Sequence, residues 1–220
     1  MSLPLAGLKI LDFTTLLPGP YATQILADMG AEVLRVESPT RPDLVKFMPP
    51  FVGTGKDRVS AAHATLNRNK KSIALDLKKE GATEIVHKLV AEYDIVLEQF
   101  RPGVMQRLGL DFASLQKIQP KLIYCSITGY GQTGPLKDRA GHDINYLALS
   151  GLASFSGRTD TGPVLSATQI ADVAGGSHNA VMAILAAVIQ RSTTGAGQHL
   201  DISMSDAAMA LTTMFGSNAI

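Results

Sequence analysis

Cysteine is nearly absent from this chain. Among its 220 residues Cys125 stands alone, inside an apolar, strand-like run. A disulfide framework within the chain is therefore excluded, and a reducing cytoplasm is the expected setting. Neither sign of charge is in excess: 20 Lys and Arg against 19 Asp and Glu leave a formal net charge of +1. That balance argues against a general nucleic-acid binder, which carries a basic surplus. The opening Met-Ser-Leu-Pro-Leu-Ala-Gly-Leu-Lys lacks the basic-then-apolar order of a secretory signal. The longest apolar helical stretch, near residues 180–189, reads as too short to span a bilayer, so no membrane is expected. The final Asn-Ala-Ile is not a peroxisomal address. No His/Cys/Asp/Glu spacing suggests a metal.

What is present suits a soluble globular protein. The hydrophobic fraction is 45% and the charged fraction 18%, and the length allows one large core. Leu8 to Phe13 reads as a buried strand, followed by the turn Thr14–Pro20. Tyr21, Ile25, Leu26 and Met29 then recur at helical spacing, with Gly30 as a stop and Glu32–Glu37 as a second strand. This is a β-α-β unit with parallel strands. A Pro- and Gly-rich region, roughly 38–69, reads as a long irregular loop. Further strands are expected at Ile73–Leu77, Asp94–Gln99, Lys121–Ile127 and His199–Met204. Helices are expected near 79–92, with Ile85, Val86, Leu89 and Val90 inward, and near 103–108 and 111–118. A longer helix begins at Asp172 and ends near Arg191, and a final one is capped by Ser205. Alternating strands and helices predict an α/β fold, an open and mostly parallel sheet wrapped by helices. No linker or internal repeat divides the chain, so residues 1–220 read as a single large-domain portion.

Two patterns bear on chemistry. Gly129-Tyr-Gly-Gln-Thr-Gly134 fits the dinucleotide spacing, but Pro135 and the charges up to Arg139 forbid a helix start before about His142. The pyrophosphate would lack its helix N-terminus, so that reading is rejected. The glycines instead let the loop pass close to a ligand or another chain. Cations recur at strand ends and adjoining loops: Arg35, Arg41, Lys70, Lys71, Lys78 and Arg101. They are either solvated surface charges or a site for a polyphosphate or acidic partner. His142 follows Gly141 at a helix start, and Asp172 opens the long helix. Each could serve as a cap, and His142 also as a buried histidine; together they could be two acid/base groups.

The chain resembles the family III acyl-CoA transferases and the α-methylacyl-CoA racemases over nearly its whole length. The resemblance rests on Leu-Pro-Gly-Pro-Tyr-Ala at 17–22, Leu-Ala-Asp-Met-Gly-Ala-Glu-Val at 26–33 and Asn-Lys-Lys-Ser-Ile-Ala-Leu-Asp-Leu-Lys at 69–78. It extends through Phe-Arg-Pro-Gly-Val-Met at 100–105, residues 122–135 and Thr-Gly-Ala-Gly-Gln-His-Leu-Asp at 194–201. Ala-Gly-His-Asp-Ile-Asn-Tyr at 140–146 looks like the racemase branch. The resemblance implies a Rossmann-like large domain and an acyl-CoA thioester as partner. His142 and Asp172 become the proton-transfer pair that epimerises a 2-methylacyl-CoA through an enolate. In the transferase alternative Asp172 is the nucleophile that carries the acyl group, and a binding-only chain is the third reading. Contacts to the substrate fall on Arg35, Arg41, Leu75, Asp76, Leu77, Lys78 and Arg101, and around the thioester on Gly141, Asp143, Ile144, Asn145 and Tyr146. Ser38 occupies a position where racemases often have arginine, and Arg41 stands in for it. No metal or separate cofactor is implied, since coenzyme A is part of the substrate. The family's smaller domain, and the later glutamate that racemases pair with the histidine, fall beyond this chain. A homodimer or a missing C-terminal half is the expected partner.

Overall fold

In the computed structural model, which describes residues 2–217, six parallel strands form one sheet. They are β1 (Lys9–Asp12), β2 (Glu32–Glu37), β3 (Lys70–Ala74), β4 (Ile95–Glu98), β5 (Ile123–Thr128) and β6 (Gln198–Ser203). Their spatial order is β3-β2-β1-β4-β5-β6. The chain builds outward from β1 on one side, then returns to build outward on the other. The crevice beyond the carboxyl ends of β1 and β4 is therefore the topological switch point, where open α/β sheets bind ligands.

Alternation along the strands sorts the apolar side chains onto two faces. Ile10, Val33, Ile95, Leu97, Ile123, Cys125 and Ile127 face one core. Leu11, Leu34, Val36, Val96 and Tyr124 face the other. The first core is covered by α1 (Pro18–Asp28) and by a long helix named below. The second is covered by α3 (Ala82–Val90) and two single-turn helices, α4 (Val104–Arg107) and α5 (Phe112–Leu115). On α3 the inward residues are Ala82, Val86 and Val90, whereas Ile85 is 46% exposed, contrary to its expected inward position.

The region 38–69 is not one irregular loop. It holds a 3-10 turn at Leu44–Phe47, a small hairpin of Phe51–Val52 with Val59–Ser60, and α2 (Ala61–Asn67), capped by Ser60. Only Leu66 of α2 is buried, so its apolar stripe is too thin to read as a periodicity. Strand β3 begins three residues earlier than expected, which leaves Leu75–Lys78 as the loop beyond its carboxyl end.

After β5 the chain forms α6 (Asp143–Leu149), then a 3-10 turn and a two-stranded piece at Gly157–Arg158 and Gly162–Pro163. The long helix α7 starts as a π-helix over Ala171–His178 and continues as α-helix over Asn179–Thr194. At 24 residues it is long and apolar enough to cross a membrane by length and composition, so the argument from shortness fails. Its buried Ala180, Val181, Ile184 and Ala187 instead pack into the first core, as in a core helix. Helix α8 (Met204–Ala210) is capped by Ser203, not Ser205: the Ser203 hydroxyl accepts the Asp206 N–H. A last short helix, α9 (Thr213–Gly216), follows. The terminal Asn-Ala-Ile lies outside the described residues.

Candidate active site

The turn after β1 is built by buried charge. Asp12, fully buried, accepts the Thr14 N–H at 2.9 Å and the Thr23 hydroxyl. Lys70 Nζ lies 3.5 Å from the same carboxylate and donates to Pro20 O at 2.8 Å and Thr23 Oγ at 2.7 Å. Burial holds the Lys70 ammonium below its ordinary pKa, against the pull of Asp12. Lys70 is thus an internal tether at the amino end of β3. Lys71, exposed beside it, pairs with Glu32 at 3.6 Å. Both lie at the wrong end of the sheet for the phosphate role considered for them.

Arg35 reaches the larger cavity but not as a free cation. It is 2% exposed, and its guanidinium is held by Asp43 and by Glu37, the latter at 3.2 Å. Its charge is already matched, so it forms wall rather than a free anion-binding group. Asp43 also accepts the Leu16 N–H at 3.1 Å. Gln99 clamps the same turn, donating to Thr15 O at 2.7 Å and accepting the Gly19 N–H at 3.2 Å. Leu16, so held, has φ of 61°, a left-handed conformation that costs a non-glycine residue about 1 kcal/mol or more.

Two cavities open beyond the strand ends and share Leu16, Phe100 and Arg101 as walls. The larger, about 740 Å³, is lined by Arg41, Leu75, Asp76, Leu77, Lys78 and Arg101 among others, so with Arg35 seven expected contacts converge there. Arg107 joins them, a residue the sequence reading missed. Among the described residues Arg41, Lys78, Arg101 and Arg107 make no ion pair. The smaller cavity, about 370 Å³, is lined by Gly141, His142, Tyr146 and Asp172, with Arg101, Lys137 and Arg139. Lys137 and Arg139 were also missed. Their only signal is that two cations precede the Ala-Gly-His sequence in a loop with no periodicity.

His142 is the N-cap of α6, and its N–H donates to Asn145 Oδ1 at 2.9 Å. The cap reading and the cavity position therefore hold together. Asn145 acts on this turn and, like Ile144 and Asp143, is not among the cavity walls. Tyr146 fixes the segment from behind. Its hydroxyl donates to Gly141 O at 2.6 Å and its ring meets Tyr130 edge-on at 5.2 Å. A Cβ on Gly129 would come within 2.4 Å of the Tyr146 ring. That first glycine of the 129–134 pattern thus admits a side chain of the same chain, not a ligand or a partner.

Asp172 sits in the first turn of α7, two residues past the N-cap Ile170. Its N–H donates to Asp143 Oδ1 at 3.0 Å. Burial, and then the Asp143 carboxylate, push the Asp172 carboxyl up to about 6, with His142 pulling the other way. Gly175 and Gly176 let α8 and the α1 turn approach, with a Cβ on either only 3.0 Å from Met204 O and Pro18 Cβ respectively. The Ser177 hydroxyl ties the helix to Pro18 O at 2.7 Å. The acid is therefore carried on a helix start wedged against the switch-point turn.

This arrangement sets a half-buried carboxyl in a small cavity beside a larger one lined by cations unpaired among the described residues, a chemistry that suits an anionic ligand. The chain belongs to CoA-transferase family III, whose sequence profile matches residues 5–218. It is 42% identical over 212 residues to a succinate–glutarate CoA-transferase of Agrobacterium fabrum, covering 94% of this chain and 52% of that one. It is 38% identical over 201 residues to the human alpha-methylacyl-CoA racemase, covering 91% and 48%. Among solved structures, a CAIB/BAIF family protein from Brucella suis superposes with a TM-score of 0.93 at 39% identity, covering 99% of this chain and 57% of that one. The chain thus spans about half the length of the curated relatives it matches. The expected α/β fold holds, and the likeness to transferases is at least as strong as that to racemases.

Proposed function

We propose that this chain forms the coenzyme A-binding, nucleophile-bearing part of a family III coenzyme A transferase that moves coenzyme A between carboxylic acids. The observation that carries the reading is the meeting of Asp172 with Arg101, Lys137 and Arg139 on one small cavity that shares Leu16, Phe100 and Arg101 with the larger groove. This reading reverses the order suggested by the sequence, racemase first and transferase second, and is supported by the 42% identity to a CoA-transferase.

In this reading the nucleotide end of coenzyme A lies in the larger cavity against Arg41, Lys78 and Arg101, and the thioester reaches Asp172. A carboxyl with pKa about 6 is mostly ionised at neutral pH, yet more basic than an ordinary aspartate. Its oxygen attacks the thioester carbonyl carbon, the C–S bond breaks, and coenzyme A leaves as the thiolate. The acyl group then sits on Asp172 as a mixed anhydride. Lys137 and Arg139 suit a free acid that will receive the coenzyme, since its carboxylate needs a cation nearby. The similarity to a succinate–glutarate transferase supports acids with a second carboxylate, which would occupy the second cation.

A racemase is the second reading, favoured by one observation: His142 shares the Asp172 cavity. Incubation with succinyl-CoA and glutarate, followed by chromatography of the thioesters, tests the first reading. A parallel incubation of each 2-methylacyl-CoA epimer in heavy water tests the second. Appearance of glutaryl-CoA without α-proton exchange is expected. Exchange with inversion and no transfer would reverse the assignment.

A further inference from the structure

A third cavity, about 260 Å³, lies under the loop that follows β4. Its walls include Glu98, Tyr124, Ser126, Gln132, His199 and Arg101. Glu98 ends β4, is 3% exposed, and stands in register with Ser126 on β5. The Ser126 hydroxyl is 3.0 Å from His199 Nε2. The His199 ring is stacked on Phe112 and meets Tyr124 edge-on. Among the described residues the Tyr124 hydroxyl and Gln132 Nε2 are buried here without a side-chain or backbone partner. Neither the proposed nucleophile nor the proposed coenzyme contacts use this cluster, Arg101 excepted.

One contact connects it to the site. Glu98 Oε2 accepts the Phe100 N–H at 2.7 Å, closing a tight turn from the strand into the loop. Phe100 and Arg101 then form the wall shared by the two larger cavities. A carboxylate at a backbone N–H makes a charge-assisted bond, about twice as strong as a neutral one. We infer that Glu98 is a positioning residue: its grip on the Phe100 amide sets the turn that holds Arg101 at the junction of the coenzyme groove and the acyl cavity. The consequence for binding rests on the coenzyme A reading; the effect on the turn does not.

The charged state of Glu98 grips more tightly, and the neutral one still offers a weaker acceptor. Burial comes first among the influences on its carboxyl, and Asp201 adds to it, while Ser126 and the Phe100 N–H oppose; the carboxyl rises to about 7. The other titratable groups around it are Tyr124, Cys125, Asp111 and His199, with Arg101 at the rim. Protonation should therefore loosen the turn as pH falls through about 7.

The test follows the Phe100 amide by nitrogen-15 NMR and hydrogen exchange between pH 5.5 and 8.5, beside calorimetric binding of coenzyme A. In the parent chain the Phe100 resonance should titrate near pH 7. In Glu98→Gln, which keeps an acceptor, the titration should vanish, the amide stay protected and affinity change by no more than about twofold. In Glu98→Ala the amide should lose protection and affinity fall about tenfold, the loss of one charge-assisted bond. An unmoved Phe100 amide in Glu98→Ala, or one that also fails in a well-folded Glu98→Gln, would overturn the inference. Absence of coenzyme A binding in the parent chain would remove the coenzyme reading, while the amide would still decide whether Glu98 holds the turn.

Discussion

Two acidic regions of the molecule lie a short way apart and are built on opposite principles. At the β1 turn, Asp12 meets Lys70, and Arg35 meets Asp43, all of them nearly or fully buried. At the α6–α7 mouth, Asp172 meets a second acid, Asp143, through its own N–H, with His142 as the nearest opposing influence. In the first region every charge has a partner, so burial is offset by pairing and the turn is rigid. In the second the carboxyl is desolvated without a matched cation. Its free energy is held higher than solvent would set it, which suits a group that must react. Matched charge builds the frame, and in the proposed reading the unmatched charge serves the chemistry.

Substitutions should separate the two regions. The largest effect is expected from Asp172→Asn, which removes the proposed nucleophile: transfer from succinyl-CoA to glutarate should fall by about a thousandfold or more, measured under initial-rate conditions. Nearly as large, but on stability, is Asp43→Ala. It leaves Arg35 buried without its best partner and should cost about 3–5 kcal/mol in urea unfolding. An Asp43→Ala variant with an unchanged urea midpoint would break the contrast between frame and site.

The contrast also has a pH signature. The folded Asp172 binds its proton more tightly than the unfolded chain does, from 3.8 up to about 6. Its contribution to stability is therefore full below about pH 4 and is lost as pH rises through 6. Asp172→Asn should remove that slope and raise stability near neutrality by about 1–2 kcal/mol, allowing for partial solvent exposure. Thermal unfolding across pH 4–8 measures both. Smaller still, Arg101→Ala and Arg41→Ala should each weaken coenzyme A binding by about tenfold and shift stability by less than about 0.5 kcal/mol. His142→Ala should change transfer least of these, by severalfold. A loss as deep as that of Asp172→Asn would point back to paired proton transfer.

The sheet was legible because parallel strands, buried on both faces, are written as short apolar runs between turn residues. The whole of Glu32–Glu37 could be read that way. The start of β3 could not, because Lys70 and Lys71 look like solvent-facing charge until Asp12, 58 residues earlier, is seen beside Lys70. Helix α2 was hidden by having a single buried side chain. Within the site, His142 and Asp172 were singled out by resemblance to a family, since spacing alone left each as a plausible cap. Arg35 was misjudged because its partner Asp43 lies eight residues on, across a turn. Lys137 and Arg139 belong to a loop whose course depends on Tyr146 packing against Gly129 and Gly141, which no local pattern records.

The π-helical opening of α7 carries one more implication, about insertions and deletions. Over Ala171–His178 the turns are wide: the Ser177 hydroxyl reaches Asp172 O and the Asn179 side chain reaches Ala174 O, each five residues back. Such a stretch holds surplus backbone relative to an α-helix. Excising one residue between Val173 and His178 would let it tighten to the ordinary winding. The rest of the rod would stay seated in the core, while the residues before the cut would be drawn toward it and turned about the axis by the difference between the two windings. The carboxylate of Asp172 would swing off the cavity without any change in its own identity. In this fold the proposed nucleophile is aimed by a register as well as by a residue.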